Sequence, residues 1–157
     1  MPDATDKPIL LCYDGSDDAF RAIEFAGSLF PGRSALVLSV WEHYSVLSGV
    51  PRVDDELVQE ATEALAADGC ERARDAGFTA TPVAVQAHHG VAEAIIDAAD
   101  AHDAMLVVMG TRGNTGIRSL LLGSVSHAVA HHAHRPLLIV PSHPLAEARS
   151  AGARGAR

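Results

Sequence analysis

One stretch constrains the fold more than any other: residues 104–132, which read as strand, glycine-punctuated loop and helix. Met105-Leu106-Val107-Val108-Met109 is a continuous apolar run, the pattern of a parallel strand buried on both faces. It ends at Gly110, and the loop after it carries Gly113, Gly116 and Gly123. Ser124 is the expected N-cap of the helix that follows, whose Val125, Ala128 and Val129 share one stripe. A strand that feeds a glycine loop into a helix N-terminus suits an anion. Glycine lets the backbone approach closely, and the free N–H groups and dipole of the helix face the negative charge. The spacing is Gly110-x2-Gly113-x9-Gly123-Ser124; neither G-x-x-x-x-G-K-[ST] nor G-x-G-x-x-G occurs, and Lys7 is the only lysine. Phosphates held here would therefore rest on backbone amides, hydroxyls and Arg112 or Arg118. The plainer reading is that these glycines only end a strand and turn a loop.

The rest of the chain alternates. Residues 1–7 are polar and expected to be loose, and residues 8–13 form a first buried strand ending at Asp14-Gly15-Ser16. Ser16 caps a helix with Ala19, Ala22, Ile23, Ala26 and Leu29 on one face, and Asp17 and Asp18 sit at its positive end. Residues 35–41 form a second strand, and residues 42–53 an excursion over the surface. A long helix opens at Asp54 or Asp55, runs through Leu57, Val58, Ala61, Leu65 and Ala73, and stops at Gly77. A weaker third strand spans 81–86, with Pro82 suited to its start or to a sheet edge. A helix over 90–102 buries Val91, Ile95, Ala98 and Ala99. Residues 136–141 form the fifth strand, bracketed by prolines and so expected at an outer position. Residues 142–157, rich in Ala, Arg and Gly without periodicity, read as a disordered tail.

This alternation predicts one domain over residues 8–141, a three-layer α/β/α fold around a five-stranded parallel sheet; the order expected for it is 3-2-1-4-5, that of the Rossmann-like folds. Ligands in such sheets bind beyond the carboxyl ends of the strands, where the strand order reverses. Asp14 and Gly110 would then face one another across the crevice, with Val40 at the neighbouring strand end. A phosphate would sit at the helix N-terminus, and a flat base near Val40 and Asp14. A net charge of −8 argues against a nucleic-acid or anionic-membrane surface. No apolar run approaches a membrane span, and the N-terminus lacks signal-peptide regions. Cys12 and Cys70, without a Cys-x-x-Cys, suit a reducing cytoplasm.

These residues resemble the universal stress protein family. The resemblance covers residues 8–141. It rests on the strand ending Asp14-Gly15-Ser16, the strand ending Met109-Gly110, the glycine/serine spacing, and the closing Arg135-Pro136-Leu137-Leu138-Ile139-Val140-Pro141. It implies a Rossmann-like, adenine nucleotide alpha hydrolase-like fold of the ATP-binding branch, with ATP as ligand and Mg2+ as its companion ion. The implied contacts are Gly110, Gly113, Gly123, Ser124 and Ser126 for phosphates and ribose, and Asp14 and Val40 for the base and ribose end. Tyr13, Met109, Arg112 and Val125 adjoin them and complete the expected site, with Arg112 at a variable position of the pattern. The resemblance also implies a homodimer through Leu137 to Val140 and a stress-response regulator with an unidentified protein partner, hydrolysing ATP slowly at most.

Other readings compete at particular residues. Asp14 is either a nucleotide or magnesium contact, or the cap of a strand-to-helix turn. His127 and His131 share a helical face, but no H-E-x-x-H and no nearby Cys accompany them, so solvated helix-end histidines are expected rather than a metal site. Leu120-Leu121-Leu122 reads as a plug that shapes the loop, with a partner-facing patch as the alternative. An ATP pyrophosphatase would want Ser-Gly-Gly-x-Asp-Ser where the chain has Asp14-Gly15-Ser16-Asp17-Asp18, and a response regulator would want Asp and Lys where it has Gln86-Ala87 and Pro141. A nucleotide-free dimeric scaffold of the same fold remains the main alternative.

Overall fold

Side-chain alternation along the central strands builds two cores, one on each face of a single sheet. The computed structural model describes residues 6–43, 54–112 and 122–142. Its elements are β1 (Ile9–Cys12), α1 (Asp17–Leu29), β2 (Ser34–Glu42), α2 (Asp55–Asp75), β3 (Thr79–Ala87), α3 (Val91–Ala101), β4 (Leu106–Gly110), α4 (Ser124–His132) and β5 (Leu137–Val140). All pairings are parallel, in the order β3-β2-β1-β4-β5. Ile9, Leu11, Val37 and Val108 point into the core under α1 and α2, whereas Leu10, Leu38, Val107 and Met109 point into the core under α3 and α4. The expected order and layering are present, with β3 and β5 as edges. Pro82 lies opposite Val37 within β3, tolerated because only one side of an edge strand must donate.

α2 buries a face of small residues. Thr62, Ala66, Gly69, Cys70 and Ala73 face the sheet, whereas Ala61 is exposed and Leu57 is 60% exposed. Small size selects this face. A Cβ added at Gly69 would stand 2.6 Å from Tyr13 Cδ1 and 2.7 Å from Val37 Cγ1, so helix and sheet are closer than an alanine allows. Gly27 does the same between α1 and α2, its added Cβ falling 2.3 Å from the Ala76 carbonyl. Leu29, expected inward on α1, is half exposed.

Residues just outside the expected domain ends are tied to it. Lys7, placed in the loose N-terminus, pairs with Asp103 at 2.8 Å, and its carbonyl accepts from Arg33. Ser142, placed in the tail, is fully buried, and its N–H donates to Thr111 Oγ1. Residues 1–5, 44–53 and 143–157 lie outside the described residues, as do the expectations that fall on them.

Tyr13 ties β1 to α2: its hydroxyl donates to Asp68 Oδ2 at 2.6 Å, and Arg72 Nε donates to the same oxygen at 3.1 Å. Burial, then the hydrogen bond to Asp68, push the Tyr13 phenol up to about 12. The folded chain thus keeps a proton that the unfolded chain releases near pH 10. This contribution is fully present below pH 10 and is lost as pH rises toward 12. Urea midpoints measured across that window should fall with pH, and the slope should flatten in Tyr13→Phe; an equal slope in the variant would remove Tyr13 as the cause.

Candidate functional site

β1 stops early and β2 does not, and this difference opens the crevice. The Tyr13 N–H donates to the Leu38 carbonyl at 2.9 Å, after which the chain leaves the sheet while β2 runs on to Glu42. Peptide groups alternate sides along a strand, so those of Val40 point the same way as those of Leu38, past the end of β1. That is the edge on which a flat base could pair. Ser39 stiffens it by donating to the Tyr13 carbonyl at 2.8 Å. The Val40 side chain lies with Met109 and Val125 in the core under α3 and α4.

The turn after β1 is built by short polar side chains. Asp14 Oδ1 accepts from the Ser16 N–H at 3.0 Å and from Ser16 Oγ at 2.5 Å, and Ser16 Oγ accepts from the Ala19 N–H at 3.2 Å. The structure therefore displays the turn-cap role of Asp14. Gly15 between them has φ +81, which glycine adopts without strain. The Tyr13 ring lies in the core under α1 and α2, and its backbone closes β1 at the crevice.

The β4 end meets α1 and α4 at once. A Cβ at Gly110 would stand 2.9 Å from the backbone C and O of Asp18, so only glycine lets β4 and the α1 N-terminus come this close. Thr111 is a junction. Its N–H donates to the Val140 carbonyl at 3.2 Å, and its carbonyl accepts from the Gly123 N–H at 2.7 Å and from Ser126 Oγ at 2.9 Å. These bonds clamp together the two ends of the glycine loop.

The helix cap is shifted by one residue from the expected Ser124. Gly123, extended at φ −62 and ψ 161, is the N-cap, and no side chain caps α4. At the helix start, Ser126 turns inward and its hydroxyl faces the Thr111 and Gly123 carbonyls. The first backbone bond of α4 runs from His127 N to Gly123 O at 2.9 Å. The N–H groups of Ser124, Val125 and Ser126 precede it and point off the helix end. α1 and α2 are capped by Ser16 and Asp54 side chains, whereas α3, like α4, starts at a glycine, Gly90, with no side-chain cap. The described end of the site thus offers backbone donors. Arg112 is engaged elsewhere, with Nε 3.6 Å from Asp18 Oδ2 and a terminal nitrogen donating to Ser142 Oγ at 2.6 Å.

Gly113 lies outside the described residues, as do Leu120 and Leu121; Leu122 is exposed and plugs nothing. Among the described residues no group of three or more His, Cys, Asp or Glu side chains could hold a metal ion, and no helix is long and apolar enough to cross a membrane. The Cys12 thiol is pushed up to about 12 by burial and by Asp14, which makes it a packing group beside the turn rather than a nucleophile. Thr111, Asp18, Ser39 and Ser142 were not singled out for the site. Only the position of Thr111, directly after a strand-ending glycine, could have drawn attention to it.

An open parallel sheet with an uncapped helix end at the point where strand order reverses defines the class of doubly wound α/β domains with a ligand crevice there. The universal stress protein family model matches residues 6–141, and the chain belongs to that family. A universal stress protein of Thermus aquaticus is 37% identical over 140 residues, spanning 85% of this chain and 98% of its own. One from Methanocaldococcus jannaschii is 33% identical over 141 residues, covering 85% and 81%. A universal stress protein solved in complex with cAMP is 25% identical, with a TM-score of 0.65 over 87% of this chain and 98% of its own. One from Archaeoglobus fulgidus, in complex with dAMP, is 25% identical, with a TM-score of 0.64 over 86% and 98%.

Proposed function

We propose that this chain binds an adenine nucleotide beyond the carboxyl ends of β1 and β4 and acts through that binding as a stress-response regulator. The observation that carries the reading is the α4 N-terminus. With Gly123 as the N-cap, no described side chain caps the donors of Ser124, Val125 and Ser126, and they lie beside a crevice whose far wall is the edge of β2 at Val40, beyond the last described pairing with β1. Relatives solved with cAMP and dAMP support an adenine nucleotide as the ligand class. ATP, with Mg2+ on its phosphates, is the species we assign. Gly110 and Gly123 admit the phosphates close to the backbone, Gly113 belongs to the same spacing, and Val40 and Asp14 take the base and ribose end.

Binding is the activity we assign, with any hydrolysis slow. We further propose a homodimer through β5. It is the edge strand beside β4, and its Leu137, Leu138 and Ile139 are only half-buried. The bound nucleotide would then alter surfaces read by a protein partner in the cytoplasm, with no role for nucleic acid or membrane.

The test is to heat-denature the purified chain, identify released nucleotide by chromatography and mass spectrometry, and titrate ATP into stripped protein with and without magnesium. Released or micromolar-affinity adenine nucleotide is expected. A chain that releases none and ignores ATP would leave the nucleotide-free scaffold as its function.

A further inference from the structure

We propose that Arg112 determines how many phosphates the site accepts, and that Asp18 sets this by holding the Arg112 guanidinium on the α1 side of the crevice. The proposal rests on the nucleotide reading above.

Arg112 starts on one wall and ends on the other. Its Cα lies 3.6 Å from where a Gly123 Cβ would stand, so its backbone is at the opening of α4. Its side chain crosses to α1, bringing Nε to 3.6 Å from Asp18 Oδ2, and reaches Ser142 Oγ at 2.6 Å. Asp18 Oδ2 is buried and accepts no hydrogen bond among the described residues. At 3.6 Å the contact is charge against charge without a hydrogen bond. A buried carboxylate oxygen in that state depends on the neighbouring cation, which fixes the cation in turn. Both side chains are about one-fifth exposed, at 22% and 19%.

A first phosphate on the amides of Ser124, Val125 and Ser126 needs nothing from Arg112. Each further phosphate adds negative charge beside the α4 opening from which Arg112 extends, and can gain the guanidinium only by drawing it from Asp18 and Ser142. A monophosphate ignores the contest; a triphosphate must win it. Asp18 is therefore a positioning residue, and Arg112 the residue that discriminates.

The experiment is calorimetric titration of AMP and ATP into the full chain as wild type, Asp18→Asn, Arg112→Gln and the double variant. Asparagine keeps the shape of Asp18, and circular dichroism with a melting curve checks each fold. Asp18→Asn should tighten ATP about fivefold or more and leave AMP within about twofold. Arg112→Gln should weaken ATP about tenfold and erase the gain from Asp18→Asn. A gain equal for AMP and ATP, or one that persists in the double variant, overturns the role of Arg112 while the nucleotide reading stands. If no variant binds either nucleotide, that reading fails and this inference fails with it.

Discussion

Gly123→Val is expected to abolish nucleotide binding while far-UV circular dichroism stays near native. The backbone at Gly123 is ordinary for any residue, at φ −62, so the variant does not fail through backbone strain. What it cannot accommodate is the approach of the loop. An added Cβ stands 3.0 Å from the Thr111 carbonyl oxygen and 3.6 Å from Arg112 Cα, both backbone atoms, and valine adds two methyls beyond that. The 2.7 Å bond from Gly123 N to Thr111 O must lengthen, and the α4 donors move with it. A hydrogen bond to a charged group contributes about 1.5–3 kcal/mol, so misplacing two of them lowers affinity about a hundredfold or more. Affinity within a factor of a few of wild type would sink the assignment of phosphates to this helix end.

The second large effect is on stability, and its sign runs against helix propensity. Gly69→Ala places an alanine, the best helix former, inside a 21-residue helix and should still destabilise the protein. The new methyl would overlap the Tyr13 ring and the Val37 methyl at 2.6 and 2.7 Å. Neither yields easily: the Tyr13 hydroxyl is bonded to Asp68, and valine is stiff at χ1. Overpacking of this kind costs about 1–3 kcal/mol, against a propensity gain of about 1 kcal/mol. A net loss of up to about 2 kcal/mol would lower Tm by up to about 4–8 °C for a chain of this size. Ala64→Gly, exposed on the same helix, supplies the control, since it loses propensity alone. A Gly69→Ala variant that melts higher than wild type would show that α2 stands further from the sheet.

What was legible in the sequence was mostly what periodicity and punctuation carry. Apolar runs ending in Gly110 or Asp14-Gly15, helices bounded by Ser16 and Gly77, and prolines around strand five are local signals, and they recover the strands, the helices and their alternation. The α2 face was not legible, because the usual rule turns large apolar residues inward. There the sheet selects for smallness, so Gly69 and Cys70 are buried while Leu57 is exposed. In the site, the strand ends and the glycine loop were readable as motifs. The hydrogen-bond wiring was not: the inward turn of Ser126, the junction at Thr111 and the anchoring of Ser142 link residues far apart in the chain. Arg112 illustrates the limit. Its position between two glycines suggests a phosphate ligand, but its partner Asp18 lies on α1 and is found only in three dimensions.

The most direct test of the central claim is to follow the backbone amide resonances of a 15N-labelled chain during titration with ATP. If the α4 end holds phosphate, the Ser124, Val125 and Ser126 amides should move furthest and downfield, saturating with a single affinity, with Val40 shifting at the same midpoint. If those amides stay still while others respond, or nothing responds at millimolar ATP, the crevice is not a nucleotide site.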